Sequence, residues 1–306
     1  MLKLVTHRLL HSAILIFGVV SVIFFTNFVL GDPVRVLLPA STPQEAVEAF
    51  RAQMGFDRPI LVQYLDYISG VLTGDFGLSW WQKADALTIA VRPLTATLEL
   101  GLVAMLIASV FGITIGIAAA AKPDSWIDRL ATSISIVGVS LPLIWFTLML
   151  ALVFSVFLGW LPTAGYGTWA HMVLPVVSLA ALPLGRTVQI TRAAMIDEMA
   201  KPYITTARAR GLSERRIMFR HALRNALPPI VTEIGWESAV LLTGYTIIVE
   251  SVFGWPGFGF ASYHAILTRD MPVIGAMAFV AAVIVVIINI LVDIAYVIIN
   301  PTIRYE

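Results

Sequence analysis

The sequence predicts an all-α membrane protein with six transmembrane helices, an outer helical cap after the first of them, and a helix–Gly–helix loop on the cytoplasmic side. Three observations predict this fold class: an apolar composition, long windows without charge, and an uneven distribution of Lys and Arg. Hydrophobic residues make up 58% of the 306 residues and charged residues 13%, whereas about 25% of a soluble domain is charged. The composition therefore excludes soluble globular, disordered, disulfide-rich and collagen-like proteins. Because the chain has no cysteine, thiolate metal sites and a cysteine nucleophile are excluded too.

Windows without Asp, Glu, Lys or Arg locate the spans, because a helix needs about 20 apolar residues to cross the hydrocarbon. The longest window, 130–185, is divided by a turn-rich stretch at 159–169, which predicts two crossings there. One further crossing is less apolar because it contains Glu233 and Glu237. The predicted crossings are 9–31, 100–121, 130–158, 171–192, 229–252 and 271–292. An even number of crossings leaves both termini on the same side of the membrane.

Lys and Arg set the orientation, because cytoplasmic loops carry an excess of both. With the termini inside, the inner segments hold fourteen of the twenty Lys and Arg residues. The two short outer segments hold only Arg269. The long segment 32–95 holds the other five, but segments of that length are largely exempt from the rule. The sequence therefore predicts cytoplasmic termini.

Three regions follow: residues 1–31 with the first transmembrane helix, an outer cap at 32–95, and a five-helix core at 96–306. The cap segment has twelve charged residues of mixed sign. Helical spacing predicts one amphipathic helix at 43–54, starting at Pro43, and another at about 58–72. A compact cap and a docking surface for an external partner are both compatible with this pattern.

The longest cytoplasmic loop, 193–228, has a more specific layout. Residues 203–210 predict a short helix with small residues at 205–207, and Gly211 is a natural C-cap. Ser213 is a candidate N-cap for a second helix, which we expect to end at Pro228-Pro229. A basic loop of this kind can serve only as a topology determinant that touches anionic lipid. Alternatively, the two helices form a rigid knob whose small residues allow close approach by another protein.

Ionisable residues at bilayer depth are candidates for a translocation pathway. Glu99 lies near the outer end of the second span, and Glu237 lies within the fifth; carboxylates there would attract a peptide ammonium or a cation. Both could instead be hydrated or hydrogen-bonded near an interface. Arg186 is expected to extend toward the cytoplasmic interface. Residues 258–267, with Phe258 and Tyr263, predict a short outer helix that is either an outer gate or a passive interface helix.

At this point the chain resembles the inner-membrane permease subunits of bacterial ATP-binding-cassette importers of the dipeptide/oligopeptide/nickel type, specifically the first of the two permeases. The most specific matches are Thr206–Arg216 and Arg220–Pro228, which resemble the cytoplasmic loop that docks on the ATPase. Thr205 stands where the generic loop has a glutamate. Further matching segments are Gly31-Asp32-Pro33, 74–79, 249–259 and 300–305.

The resemblance implies a translocation subunit of an ATP-driven importer in the bacterial inner membrane, most simply for di- or oligopeptides. It implies a second homologous permease, two ATP-binding subunits, an external solute-binding protein and surrounding lipid as partners, and no nucleic acid. The residues that it implies for ATPase coupling are Thr205, Thr206, Ala207, Arg208, Gly211, Glu214 and Arg215.

The sequence has no P-loop pattern G-x-x-x-x-G-K-[ST] and none of the common hydrolase motifs. ATP hydrolysis is therefore expected on another polypeptide, and this chain is expected to be no enzyme. Its five histidines are scattered, so no metal or other cofactor is expected. The alternatives left open are an importer of nickel chelates or other small solutes, a secondary transporter without an ATPase, and an intramembrane enzyme.

Overall fold

The computed structural model describes residues 2–29, 34, 38, 39 and 41–299. The segments Gly31-Asp32-Pro33 and 300–305, which carry part of the resemblance, lie outside the described residues, as does the expected boundary between the first helix and the cap. The described part is helical and contains no strand, only an isolated bridge between Leu78 and Asp85.

The described residues form twelve helices. In chain order they are α1 (Leu2–Val29), α2 (Gln44–Gln53), α3 (Ile60–Thr73), α4 (Ala86–Val91), α5 (Leu94–Ala121), α6 (Trp126–Ser140), α7 (Leu143–Phe157), α8 (Trp169–Met199), α9 (Pro202–Ala209), α10 (Glu214–Phe253), α11 (Phe258–Leu267) and α12 (Met271–Ile299). Helix α10 is continuous but contains two π-helical stretches, Ile217–Ala222 and Leu241–Tyr245.

Three helical segments in the described part are long and apolar enough to cross a membrane: Ala86–Ala121, α8 and α12. The number rises to five if each bent pair, α6 with α7 and α10 with α11, forms one span. Helix α1 adds a shorter apolar stretch, Leu10–Thr26. Six spans therefore stay a prediction.

The crossing expected at 130–158 is not one straight helix. Helices α6 and α7 meet at an angle of 102°. Leu141 has φ −79° and ψ 127°, the extended conformation favoured before a proline, and Pro142 has no N–H to continue the helix. The break thus has a local cause that is visible in the sequence.

The helix end expected at Pro228-Pro229 is wrong, because α10 continues through both prolines. Ala226 and Ile230, on either side of them, are buried in an apolar cluster. Packing of that face keeps the helix continuous although proline removes backbone hydrogen bonds.

The chain divides into two compact units. The first comprises Met1–Thr95 and Phe260–Val286. There α1 packs on α3 through Phe24, whose ring centroid lies 5.2 Å from that of Tyr64. The loop after α3 is attached to the start of α12 by Asp270, the residue before that helix. Asp270 accepts hydrogen bonds from the Ser79 hydroxyl at 2.5 Å and the Trp80 N–H at 3.2 Å.

The helices α2 and α3 lie where the sequence predicted helices. Part of the apolar face expected on α3 is exposed, since Leu61 and Leu65 are 66% and 58% exposed.

The second unit comprises Ala96–Gly259 and Ile287–Glu306 and holds the candidate site. Its helices approach closely where residues are small: a Cβ at Gly112 would lie 2.7 Å from Thr187, and one at Gly116 would lie 2.6 Å from Thr191. The small residues one turn apart on α5 therefore serve helix packing inside this chain against α8.

Candidate functional site

The knob formed by α9 and the start of α10 is built around Gly211. The Gly211 N–H donates to the Arg208 carbonyl at 2.9 Å, and the Leu212 N–H donates to the Ala207 carbonyl at 3.3 Å. This is the Schellman pattern, with Gly211 at φ +74° in the left-handed region. Ser213 occupies the N-cap position of α10, although its side chain makes no capping hydrogen bond. Only residues 210–213 therefore join the two helices.

The residues expected to couple to the ATPase divide between two sides of the knob. Thr205, Thr206 and Arg208 are exposed on α9. Gly211, Glu214 and Arg215 are exposed on the turn and the start of α10.

Ala207 differs from this group. Its side chain is 7% exposed and belongs to an apolar cluster with Ile204, Met195 and Ile217. The small face expected at 205–207 is thus split, because one helical residue in this run must face the core. Ala207 holds the knob against the membrane helices and does not present its side chain to a partner.

An ion pair braces the knob across its turn. The Arg208 Nε donates to Glu214 Oε1 at 2.7 Å. Both side chains are largely exposed, and the guanidinium lowers the pKa of the Glu214 carboxyl. Exposed pairs contribute little stability, so this pair mainly fixes the direction of α9 relative to α10.

Beside this brace, a surface cleft of about 370 Å³ is lined by Ser213, Arg215, Arg216 and Phe219. The Phe219 ring is 52% exposed although it is large and apolar. A basic cleft with an exposed aromatic ring suits an acidic protein surface with an apolar anchor.

A second ion pair fastens α6 to α8. Asp128 accepts two hydrogen bonds from Arg192, at 2.5 Å and 2.8 Å, and a third from the Asp124 N–H at 2.9 Å. Sequence reasoning did not single out this pair. The only local sequence feature that indicated this pair is an acidic residue, Asp128, in the first turn of α6.

The structure does not bring Glu99 and Glu237 into one hydrogen-bonded group. Glu99 is exposed and accepts a hydrogen bond from the Tyr166 hydroxyl at 3.1 Å. The Glu237 side chain is fully buried and is paired with Arg186. Arg186 was expected to extend toward the cytoplasmic interface, and this stays a prediction; in the structure its guanidinium pairs with the buried Glu237 carboxylate, and its side chain is 37% exposed.

Sequence reasoning missed Glu250, a fully buried carboxylate near the end of α10. Its Oε1 accepts a hydrogen bond from the Thr97 hydroxyl at 2.6 Å, and the Thr97 oxygen accepts one from the Phe258 N–H at 2.7 Å. A Cβ at Gly257 would collide with the Glu250 carboxylate. The available signal was an acidic residue in a predicted span followed by closely spaced glycines.

The neighbouring turn is held by Trp255. Its Nε1 donates to the Ala96 carbonyl at 2.9 Å, and its ring meets that of Tyr166 edge to face at 4.7 Å. Of the two residues expected at an outer gate, Phe258 is buried with its N–H held by Thr97, whereas Tyr263 is 42% exposed. Phe258 is therefore anchored at the start of α11 by the Thr97 hydroxyl oxygen.

Among the described residues, no group of three or more His, Asp or Glu side chains could hold a metal ion.

Comparisons with known proteins cover the whole length. Residues 112–305 match the family described as binding-protein-dependent transport system inner membrane component, and residues 1–87 match the N-terminal family of such membrane components. The chain is 38% identical over 307 residues to the glutathione transport system permease protein GsiC of Escherichia coli (strain K12), with 100% of each chain covered. The same identity and coverage apply to GsiC of Salmonella typhimurium (strain LT2).

Two solved structures show the same fold at low identity. A chain of the MetNI methionine ABC transporter, in an inward-facing conformation, superposes with a TM-score of 0.56 at 18% identity, covering 69% of this chain and 96% of that one. An amino acid ABC transporter crystallised with histidines gives a TM-score of 0.55 at 20% identity, covering 68% and 92%.

A family match of this extent decides against the secondary transporter and the intramembrane enzyme. The knob, Glu250 and most of the helical core lie within residues 112–305, which match the family. The chain belongs to the binding-protein-dependent transport system inner membrane components, as a permease subunit of an ATP-binding-cassette importer of the dipeptide/oligopeptide family.

Proposed function

We propose that this permease crosses the bacterial inner membrane six times, with both termini in the cytoplasm and residues 32–95 outside. Two observations support six spans: α1 is 28 residues long, and the three long apolar segments and two bent pairs account for five more. The orientation rests on the placement of Lys and Arg, fourteen on the inner segments against one on the short outer segments.

The absence of native cysteine allows a direct test of this topology. Single cysteines at Ser41 and Thr168 should react with a membrane-impermeant thiol reagent in cells with a permeabilised outer envelope, whereas one at Ser213 should not. All three positions are exposed in the described structure, so accessibility within the fold does not confound the test. Labelling at Ser213 without membrane rupture would overturn the orientation.

The transported solute is a short peptide, of the size and charge of glutathione. This proposal rests on relatives named as glutathione permeases that match over their full length. ATP-dependent uptake of labelled di- and tripeptides, measured with the external binding protein present, tests it. Uptake of a nickel chelate or an oligosaccharide in place of peptides would replace this assignment.

The knob docks on the ATP-binding subunits, of which the assembly contains two, together with a second permease and an external solute-binding protein. The observation that carries this proposal is the knob itself: two helices locked by a left-handed Gly211, with Arg215 beside an exposed Phe219. Closure of the ATPase subunits would push on this rigid element and move α8 and α10.

Two variants test docking. At φ +74° an L-residue costs on the order of 1–2 kcal/mol, so Gly211→Val should misdirect α10 and abolish uptake without preventing insertion. Arg215→Glu reverses a charge in the cleft and should reduce ATPase co-purification. Arg129→Glu is the matched control, because Arg129 is an exposed arginine of a predicted inner segment outside the knob.

Normal ATPase binding and uptake in both knob variants would reduce the knob to a charged topology determinant. Loss of the ATPase in Arg129→Glu as well would mean that general surface charge, and not the knob, holds the subunits together.

On the outer side, the 32–95 cap receives the binding protein, and Tyr263 acts at the outer gate. Glu99, exposed and held by Tyr166, is a pathway residue at that end. Glu99→Gln should lower uptake of a cationic peptide more than that of an anionic one. Equal uptake of both peptides would remove Glu99 from the pathway.

A further inference from the structure

Arg186 is the first charged residue after the apolar window 130–185. It lies 17 residues beyond Trp169, the first residue of α8, which is about 26 Å at a rise of about 1.5 Å per residue. Since the hydrocarbon is about 30 Å thick, a span that starts at Trp169 carries Arg186 within it, toward the cytoplasmic side.

The ion pair at this depth is asymmetric. The Glu237 side chain is 0% exposed, whereas that of Arg186 is 37% exposed. The carboxylate is therefore sealed inside the helical unit, and the guanidinium extends from it to an open side.

Both partners have hydrogen-bonding capacity left over. Glu237 Oε2 has no hydrogen-bond partner in the described structure. Arg186 uses one of its five N–H donors on Glu237, and no other described residue accepts from its side chain. A buried pair is normally completed by further hydrogen bonds, because desolvation of its charges is costly.

The open side of Arg186 cannot be lipid at low cost, since charged side chains in spans face a bundle interior or a water-filled cavity. A solute on that open side would meet a guanidinium, which binds carboxylates through paired N–H donors. Glu233, one turn before Glu237 on the same face of α10, is half-buried and adds a carboxylate nearby. The exposed charge of this pair is thus the positive guanidinium, whereas Glu237 alone would predict a negative charge facing the solute.

We infer that Arg186, positioned by Glu237, binds the carboxylate of the transported solute during passage. This inference rests on the proposed peptide import and narrows it to peptides with a free carboxylate. Glu237 neutralises the arginine when no solute is bound and directs its remaining donors to the open side.

The experiment uses the complete importer in proteoliposomes, with a tripeptide and its C-terminal amide, each at a concentration that saturates the external binding protein. The double variant Arg186→Gln/Glu237→Gln removes the pair without leaving a buried charge. We expect uptake of the free acid to fall on the order of tenfold, the usual worth of a charge-assisted hydrogen bond, and uptake of the amide to change less than twofold.

A second double variant, Arg186→Glu/Glu237→Arg, keeps a neutral pair and reverses the exposed sign. It should also lose uptake of the acid, whereas a purely structural pair would tolerate the exchange. Arg186→Lys, which keeps the charge, should retain more acid uptake than either. If the reversed pair fails to assemble, the glutamine pair decides.

The matched control is Arg192→Gln/Asp128→Asn, a pair whose arginine lies on the same helix, α8, and whose side chains are similarly exposed. It should change acid and amide uptake by one common factor. The inference fails if the Arg186→Gln/Glu237→Gln importer stays assembled and treats acid and amide alike, or if it loses the second permease, which would make Arg186 an interface residue. Absence of any peptide uptake by the wild-type importer would instead refute the proposed function.

Discussion

Two arginines on α8 each hold a buried carboxylate, and their surroundings differ. Arg192 makes two hydrogen bonds to Asp128, which accepts a third from the Asp124 N–H and lies in the first turn of α6. Arg186 makes one hydrogen bond to Glu237, which lies within α10 and has one oxygen unpartnered in the described structure. The arginines are similarly exposed, at 32% and 37%.

The Arg192–Asp128 pair has both carboxylate oxygens hydrogen-bonded and is structural, whereas the Arg186–Glu237 pair keeps hydrogen-bonding groups that have no partner in the described structure. Asp128 is satisfied by backbone and side-chain donors and by the positive end of a helix, so its pair needs nothing more. Glu237 has none of these supports beyond Arg186. Chemically similar arginine–carboxylate pairs can therefore serve different purposes, and the number of hydrogen bonds to the carboxylate distinguishes them.

Removal of Arg186 should cause the largest loss of stability, followed by removal of Arg192. Arg186→Ala leaves Glu237 buried without its ion-pair partner, which costs about 3–5 kcal/mol. Arg192→Ala should cost less, about 1–3 kcal/mol, because Asp128 keeps the Asp124 N–H. The Tm values of the purified complexes, measured in the same detergent, should rank accordingly.

Equal losses of Tm in the two variants would contradict the proposed difference between the pairs, because both carboxylates would then depend equally on their arginines.

Glu250 extends the comparison to a buried carboxylate held by a hydroxyl. Thr97→Val removes the donor to Glu250 and the acceptor of the Phe258 N–H, so we expect a loss of about 1–3 kcal/mol. Thr114→Val, at an exposed position of the same helix, should stay within about 0.5 kcal/mol of the wild type. A Tm for Thr97→Val as high as that of Thr114→Val would show that Glu250 does not need this hydroxyl.

Ser125→Ala should give the smallest loss of stability of these variants, and it tests how far the start of α6 supports Asp128. The Ser125 hydroxyl accepts from the Asp128 N–H at 3.3 Å, and loss of such a cap costs about 0.5–1 kcal/mol. Amide hydrogen exchange should rise at the start of α6 and stay unchanged around Glu237. Faster exchange around Glu237 would mean that the two pairs are coupled.

Sequence reasoning succeeded where the cause is local. Gly211 and Ser213 stand at the turn between α9 and α10 as their conformational preferences predict. The break at Pro142 was not predicted within the crossing at 130–158, although its cause is equally local: a missing N–H and an extended residue before it. Helices lie at α2 and α3 because periodicity and initial prolines indicate them.

It failed where distant segments decide. Pro228-Pro229 has the same local signal as Pro142, but burial of Ala226 and Ile230 keeps α10 continuous. Ala207 looks like a surface residue of a small face until the apolar cluster around it is seen. Glu250 was missed because its partner Thr97 lies 153 positions away.

The sequence by itself determined the helical membrane class, the family and the layout of the knob, because composition, motif and backbone preference act within a few residues. Only the tertiary structure decided which charges meet. Arg186 lies 51 positions from Glu237 and Arg192 lies 64 from Asp128. Burial makes the charges pair, and the packing of α8 against α6 and α10 selects the partners.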